Sequence, residues 1–231
     1  MPAALEALHP RLSTARTLLR RARERPAGAL ASGVEVLDRL LGGGLPRGDL
    51  VELVGGRSSG RFSTVLALLA GVSGRGEAVT LIDLGDHLAP RAALESGAEL
   101  RRILWVRPTR LKEALLAAEM TLQSGFPLVV VDLGSPPVPG GRGAEAAWIR
   151  LARAARSRRA ALLVSAPYRA TGTAAGRVLE CRATAAWEEL GRAQLLLRAT
   201  LLPAIRDALG KVPASSTTGA RRRAAAGAAV R

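Results

Sequence analysis

Asp49-Leu50-Val51-Glu52-Leu53-Val54-Gly55-Gly56-Arg57-Ser58-Ser59-Gly60-Arg61-Phe62-Ser63, written DLVELVGGRSSGRFS, is the stretch on which the fold turns. An apolar run ends on glycines, and the Leu/Ala-rich segment STVLALLAG follows at once, so the order reads strand, tight loop, helix. Glycines let successive backbone N–H groups converge at a helix N-terminus, where the helix dipole also favours negative charge; this is the frame of a phosphate-binding loop. In a working loop a Lys reaches the terminal phosphates and the following Ser or Thr ligates Mg²⁺. Here those positions hold Arg61 and Phe62. Arg keeps the charge, but its planar fork is no substitute for a compact ammonium in a tight cradle. Phe brings no ligand atom, and Ser63, one position further on, is turned about 100° round the helix. Gly55, Gly56, Arg57, Ser58, Ser59, Gly60, Arg61, Phe62 and Ser63 are therefore expected to keep the shape of the loop without its chemistry.

Outward from the loop the chain alternates. Val34 to Leu41 reads as a helix and GGGLPRG as a turn ahead of the first strand. Beyond the loop, Ser63 to Gly71 reads as a helix, AVTLIDLG as a strand, Pro90 to Ser96 as a helix, RRILWVR as a strand and Leu111 to Gln123 as a helix. PLVVVDLG, the helix Glu145 to Arg158 and AALLVSAP follow, then two late strands, VLECRATAAWEE and AQLLLRATLL, with no helix between them. Strands apolar on both faces, alternating with helices, imply an α/β fold: a mostly parallel twisted sheet covered on both sides, with an antiparallel hairpin at one edge. LVVVD supplies the other half of a nucleotide site, a strand ending in Asp; Asp132 is the residue that could still hold a metal through water.

With these residues in view, the chain resembles the RecA superfamily. ASGVEVLDRLLGGGLPRGDLVELVGGRSSGRFS (Ala31 to Ser63) is similar to that family's helix, GGLP turn, strand and phosphate loop. VTLIDLGDHLAP resembles its next strand, VVVDLGS its metal-binding strand and LLVSAPYR its sensor strand, so the resemblance covers roughly residues 30 to 200. It implies a RecA-like core over 30–202. It also exposes departures: the family carries a Glu two residues after the Asp of the second strand to activate water, and here that position after Asp83 is Gly85. Asp86 stands one residue away, and in a slow-ATPase reading it takes over as base while Arg61 and Asp132 retain nucleotide. The sensor strand ends in Ala166-Pro167 where the family has a polar pair such as Asn-Gln. Losing a general base alone typically costs about 10²–10⁴ in rate. The loops after Asp132 and Pro167, SPPVPGGRG and YRATGTAAGR, are short beside those of true recombinases. The combination most resembles the ImuA family, which implies an accessory role in SOS-induced mutagenic translesion DNA synthesis. The partners implied are a Y-family-like, ImuB-type polymerase, an error-prone replicative-type polymerase and the RecA recombinase. A SulA-type division inhibitor is the alternative from the same grouping. No catalytic residue, resident metal or cofactor is expected; ATP with Mg²⁺ is the residual candidate.

Charge adds a second line of argument. The 231 residues carry a formal net charge of +15 and a pI near 11.7, which favours polyanions or an acidic partner. Nearly all the basic residues are arginines, which a GC-rich genome would favour; such bias does not by itself set 34 basic against 19 acidic residues. Residues 1–29 read as a basic helical arm with Arg16, Arg20, Arg21, Arg23 and Arg25 opposite a row of leucines; Glu6 and Glu24 argue against the competing reading, an organellar presequence. A second cluster, Arg150, Arg153, Arg156, Arg158 and Arg159, lies on the helix WIRLARAARSRR, whose Trp148, Leu151 and Ala155 are expected to face the sheet; an ordinary solvated face is the plain alternative there. Residues 203–231, with Arg221, Arg222 and Arg223, read as a disordered basic tail. With Arg169 in the loop after Pro167, these are the candidate DNA or partner contacts. Aromatic residues are too few and too scattered for a base-stacking platform, so DNA binding is expected to be backbone-directed and salt-sensitive. The single cysteine, Cys181, cannot form an intramolecular disulfide, and His9 and His87 build no Cys/His metal cluster. No segment has the apolar length of a membrane span, so the expected location is the bacterial cytoplasm, with association to the nucleoid.

Overall fold

A computed structural model describes residues 28–135, 144–190, 193–201 and 204–206, with backbone alone for 183–190, 193–201 and 204–206. Strands β1 (Ala29–Leu30) and β2 (Leu45–Pro46) pair antiparallel and bracket helix α1 (Glu35–Leu41). Gly42 closes that helix in the left-handed region (φ 78°), returning its N–H to Arg39 and Asp38 carbonyls. Then come β3 (Leu50–Val54), α2 (Arg61–Gly74), β4 (Val79–Asp83), α3 (Pro90–Glu95), β5 (Ile103–Val106) and α4 (Leu111–Gln123). β6 (Leu128–Asp132), α5 (Glu145–Arg158), β7 (Ala161–Ala166), β8 (Arg177–Glu180), β9 (Ala183–Leu190), β10 (Ala193–Leu201) and β11 (Ala204–Arg206) follow, and a single 3-10 turn, Leu100–Arg102, leads into β5.

The main sheet has the order β11-β8-β3-β7-β6-β4-β5, parallel throughout except for the β11–β8 pair. β6 and β7 are buried along their whole length, as two-sided apolar strands must be when helices cover both faces. One face packs Val51, Leu53, Leu81, Val130 and Leu163 against α2, where Val65, Leu68, Leu69 and Val72 are completely buried. The opposite face packs Val129, Val131, Leu162 and Val164 against α4 and α5, with Trp148, Leu151 and Ala155 turned inward as their helical spacing predicts.

Register positions the functional end. Across the carboxyl ends of the strands, Leu53 pairs with Ser165, Ser165 with Asp132 and Asp132 with Asp83. Residues in register on neighbouring parallel strands point to the same face. Three buried polar side chains thus line up beneath the α2 N-terminus. On the other face Glu52, also buried, accepts the N–H groups of Ala170 (2.6 Å) and Thr171 (3.0 Å), tying down the segment that leaves β7.

The α/β architecture is the one the alternation implies, and its differences lie at the sheet margin. VLECRATAAWEE divides at Cys181–Arg182: β8 joins the main sheet beside β3, whereas β9 pairs only with β10 as a separate antiparallel ribbon. The main-sheet edge is instead β11, which pairs antiparallel with β8 and lies beyond the boundary expected at residue 202. Edge pairing is decided by which backbone is left unpaired in the folded sheet, not by local pattern. The basic arm at 1–27 and the remaining tail from 207 fall outside the described residues.

Candidate functional site

The loop between β3 and α2 keeps the expected shape. Gly55 donates to the Ala166 carbonyl (3.1 Å), Ser59 donates back to Gly56 (3.3 Å), and Ser58 and Gly60 take the left-handed region (φ 57° and 79°). A Cβ on Gly55 would lie 2.3 Å from Ser59 Oγ and 3.1 Å from the Cys181 Cβ, so any side chain there displaces Ser59. A cleft of about 370 Å³ opens over the loop, lined in part by Arg57, Ser58, Phe62, His87, Ser135 and Pro167.

Arg61 does not point into that cleft as a free cation. It is 7 % exposed, and its guanidinium turns under the loop toward the sheet. Nε donates to the Gly55 carbonyl (3.1 Å), Nη2 to the Gly134 carbonyl (2.7 Å), and Nη1 both to Asp132 Oδ1 (2.6 Å) and to Ser165 Oγ (2.5 Å). The Ser165 hydroxyl donates its own hydrogen bond to Asp132 Oδ1 (2.6 Å). The second carboxylate oxygen, Oδ2, meets His87 Nδ1 at 2.9 Å; an ionised Asp can only accept, so Nδ1 carries the hydrogen. One cation thereby ties together the loop, the end of β6, the turn after it and β7.

Asp83 is equally committed. Its oxygens accept the backbone N–H groups of His87 (2.9 Å) and Leu88 (2.9 Å) and the Trp105 indole N–H (3.2 Å). Asp83, His87 and Asp132 present ligand atoms within 4.8 Å of one another, a cluster of the kind that can hold a metal. Each carboxylate oxygen in it already accepts a protein hydrogen bond. Phe62 closes the cleft side by meeting the His87 ring edge-on, centroids 5.3 Å apart.

Two neighbouring positions, Gly85 and Asp86, are those at which the sequence reading weighs a water-activating base. At Gly85 a Cβ would stand 2.4 Å from the Gly134 Cα, so two backbones meet where a side chain would have to fit. Asp86 lies at the surface in the left-handed region (φ 51°), with its two oxygens held by Arg107 Nε and Nη2, both at 2.8 Å. That hydrogen-bonded pairing holds the Asp86 carboxyl below the ordinary Asp value, which makes it a weaker proton acceptor rather than a base in waiting. Arg107 also rests over the Trp105 ring, 4.9 Å from its centroid.

The structure brings Gly55 to Ser63 together with Asp132, as the sequence reading groups them, and adds Ser165, His87, Asp83 and Trp105, which that reading did not single out. One residue before Ala166-Pro167, Ser165 places a polar side chain in the strand, and it is spent on Arg61 and Asp132. The only local signal for it is a Ser in an otherwise apolar strand. At the two positions where the sequence allows a water-held metal and a substitute base, the oxygens of Asp132 accept from Arg61, Ser165 and His87, and those of Asp86 from Arg107. Among the candidate contact residues, Arg150, Arg153 and Arg156 lie exposed on α5 and Arg169 is exposed after β7. Arg16, Arg20, Arg23, Arg221, Arg222 and Arg223 lie outside the described residues. Among the described residues, no helix is long and apolar enough to cross a membrane.

Comparison with known proteins agrees with this frame. The chain is similar to protein RecA of Clavibacter michiganensis, 35 % identical over 116 residues, which is 49 % of this chain and 32 % of the relative. It is likewise similar to protein RecA of Clostridium acetobutylicum (35 % over 113 residues; 48 % and 32 %) and of Mycobacterium leprae (34 % over 116 residues; 49 % and 16 %). The chain thus spans about a third or less of the length of these curated relatives. The family model of the RecA N-terminal domain matches residues 13–142, a span that holds the loop, both carboxylate strands and the turn after Asp132, and by that match the chain belongs to the RecA N-terminal domain family.

Proposed function

We propose that this chain is a catalytically degenerate RecA-like accessory protein of SOS-induced mutagenic translesion DNA synthesis, of the ImuA type, which works through contacts with partner proteins. The observation that carries the degeneracy is the path of Arg61. A magnesium–nucleotide site needs a free carboxylate beside a hydroxyl ligand, since Mg²⁺ demands near-ideal octahedral geometry from hard oxygen donors. Here a guanidinium already neutralises Asp132, the oxygens of that carboxylate are engaged, and Phe62 stands where the hydroxyl belongs. Gly85 has no space for the glutamate that activates water in the family. The residues present do not suit Mg²⁺–ATP.

What remains is a rigid α/β frame whose loop is held by its own cation instead of by a ligand. Such a frame can display surfaces constitutively. The ImuA-type resemblance and the basic composition supply the partners in this reading: a Y-family-like polymerase, an error-prone replicative-type polymerase and the RecA recombinase, acting on DNA in the bacterial cytoplasm.

Turnover of Mg²⁺–ATP by the full chain, with and without single-stranded DNA, tests the first part. No phosphate release above the protein-free blank is expected, and DNA-stimulated hydrolysis at recombinase-like rates overturns the proposal. Affinity capture from DNA-damaged bacterial cells tests the second. Recovery of the polymerase partner or of RecA supports it, while recovery of a tubulin-like division protein in their place favours the division-inhibitor alternative.

A further inference from the structure

We infer that the outer face of α5 is a docking surface for the phosphodiester backbone of double-stranded DNA, independent of base sequence and of the nucleotide loop. The helix is anchored by Trp148, Leu151 and Ala155, which are at most 1 % exposed, so the opposite face has a fixed orientation. On that outer side stand Arg150, Arg153 and Arg156, all exposed; Arg158 and the cap residue Arg159 are exposed at the end of the helix. Glu145, in the first turn, is the only acidic residue in the helix. Arg150 reaches Glu119 on α4 (3.1 Å); among the described residues, Arg153, Arg156, Arg158 and Arg159 have no acidic partner. Arg159 occupies the left-handed cap position (φ 50°), where Gly or Asn is the usual residue.

The spacing gives these charges a direction. Arg150, Arg153 and Arg156 are three residues apart within the helix, which sets successive members about 4.5 Å apart along the axis and about 60° back around it. They form a slanted row roughly 9 Å long. Like charges at this spacing repel one another within a helix, so, apart from the Arg150–Glu119 pair, setting them in a row is a cost to the helix and not a support. It matches a linear polyanion: a duplex carries one charge per about 1.7 Å of axis, and arginine's fork binds phosphate oxygens in pairs. An acidic protein is the less suitable occupant. Protein interfaces centre on buried apolar or aromatic anchors, and between these arginines the face offers Ala146, Ala154 and Ser157, with Ile149 as the one large apolar side chain, 37 % exposed. Single strands are held largely by stacking on aromatic rings, which this face lacks. The duplex backbone is the occupant that asks for charge alone.

The experiment compares the full chain with Arg150→Gln/Arg153→Gln/Arg156→Gln, using fluorescence anisotropy on a short labelled duplex of mixed sequence between about 50 and 200 mM NaCl. Each phosphate contact contributes about 0.9 to the slope of log K against log salt, so losing the row is expected to make the slope shallower by about 2–3. The control is Arg39→Gln/Arg91→Gln/Arg101→Gln, which removes the same charge from exposed positions elsewhere and is expected to leave the slope unchanged. Circular dichroism verifies folding. Should the triple α5 variant unfold, Arg153→Glu alone is expected to shift the slope by about 1. An unchanged slope in the α5 variants, an equal loss in the control, or tighter binding of the matching single strand overturns the inference.

Discussion

Replacing the compact ammonium of a phosphate loop by the guanidinium of Arg61 changes where the positive charge goes. A planar fork with five N–H donors can satisfy several acceptors at once, and four segments of this fold present them within reach. Burying Arg61 and Asp132 costs solvation, and good geometry with added hydrogen bonds is what offsets it; removing one partner strands the other charge. Arg61→Ala is therefore expected to destabilise the chain by about 3–5 kcal/mol. Arg61→Met/Asp132→Leu, which removes both charges and keeps the volume, is expected to recover much of that loss. Urea unfolding of parent, single and double variants reads both effects. A loss under about 1 kcal/mol in Arg61→Ala, or a double variant worse than the single, would mean that the pair is not the keystone described here.

Between elements, the turns after β4 and β6 meet backbone to backbone at Gly85 and Gly134, and the Gly134 carbonyl is also an acceptor of Arg61. Gly85 and the buried cation are thus coupled: any side chain at Gly85 pushes the turn that Arg61 holds. Gly85→Ala is expected to cost about 1–3 kcal/mol, a fall in thermal midpoint of several degrees for a chain of this size. An unchanged midpoint would show that the turns can part freely. This coupling also marks the limit of what was legible in the linear chain. LVVVD and ALLVS are recognisable as central strands because both of their faces are apolar, and the α5 face follows from the spacing of Trp148, Leu151 and Ala155. The break at Cys181–Arg182 and the edge strand β11 were not legible, since they depend on which sheet margin is open. The loop frame and Asp132 were legible as motif. The destination of Arg61 was not, because it depends on the register that places Ser165 beside Asp132 and on the Gly134 carbonyl turning inward.

For the molecule as a whole, a constitutively held loop has a thermodynamic signature apart from catalysis. A ligand that binds only the native state stabilises it by RT ln(1 + [L]/Kd), about 2.7 kcal/mol when present at a hundredfold its Kd. For a chain of this size that corresponds to a rise of roughly 5–10 °C in thermal midpoint. A RecA-like protein with a working loop would rise in this way with Mg²⁺–ATP. Here the cation is internal and Asp132 is already paired, so no Mg²⁺-dependent shift is expected in scanning fluorimetry at millimolar ATP. The net charge of +15 adds a competing effect, because any polyphosphate will gather on so basic a surface. Salt separates the two. Attraction to exposed arginines is screened within about 8–10 Å at physiological ionic strength, whereas contacts inside a loop at a helix N-terminus are screened much less. A small shift that appears equally without Mg²⁺ and vanishes with added NaCl is surface charge and leaves the reading intact. A shift that requires Mg²⁺ and survives the salt shows that Arg61 yields its place to nucleotide, and the loop would have to be read as a working site.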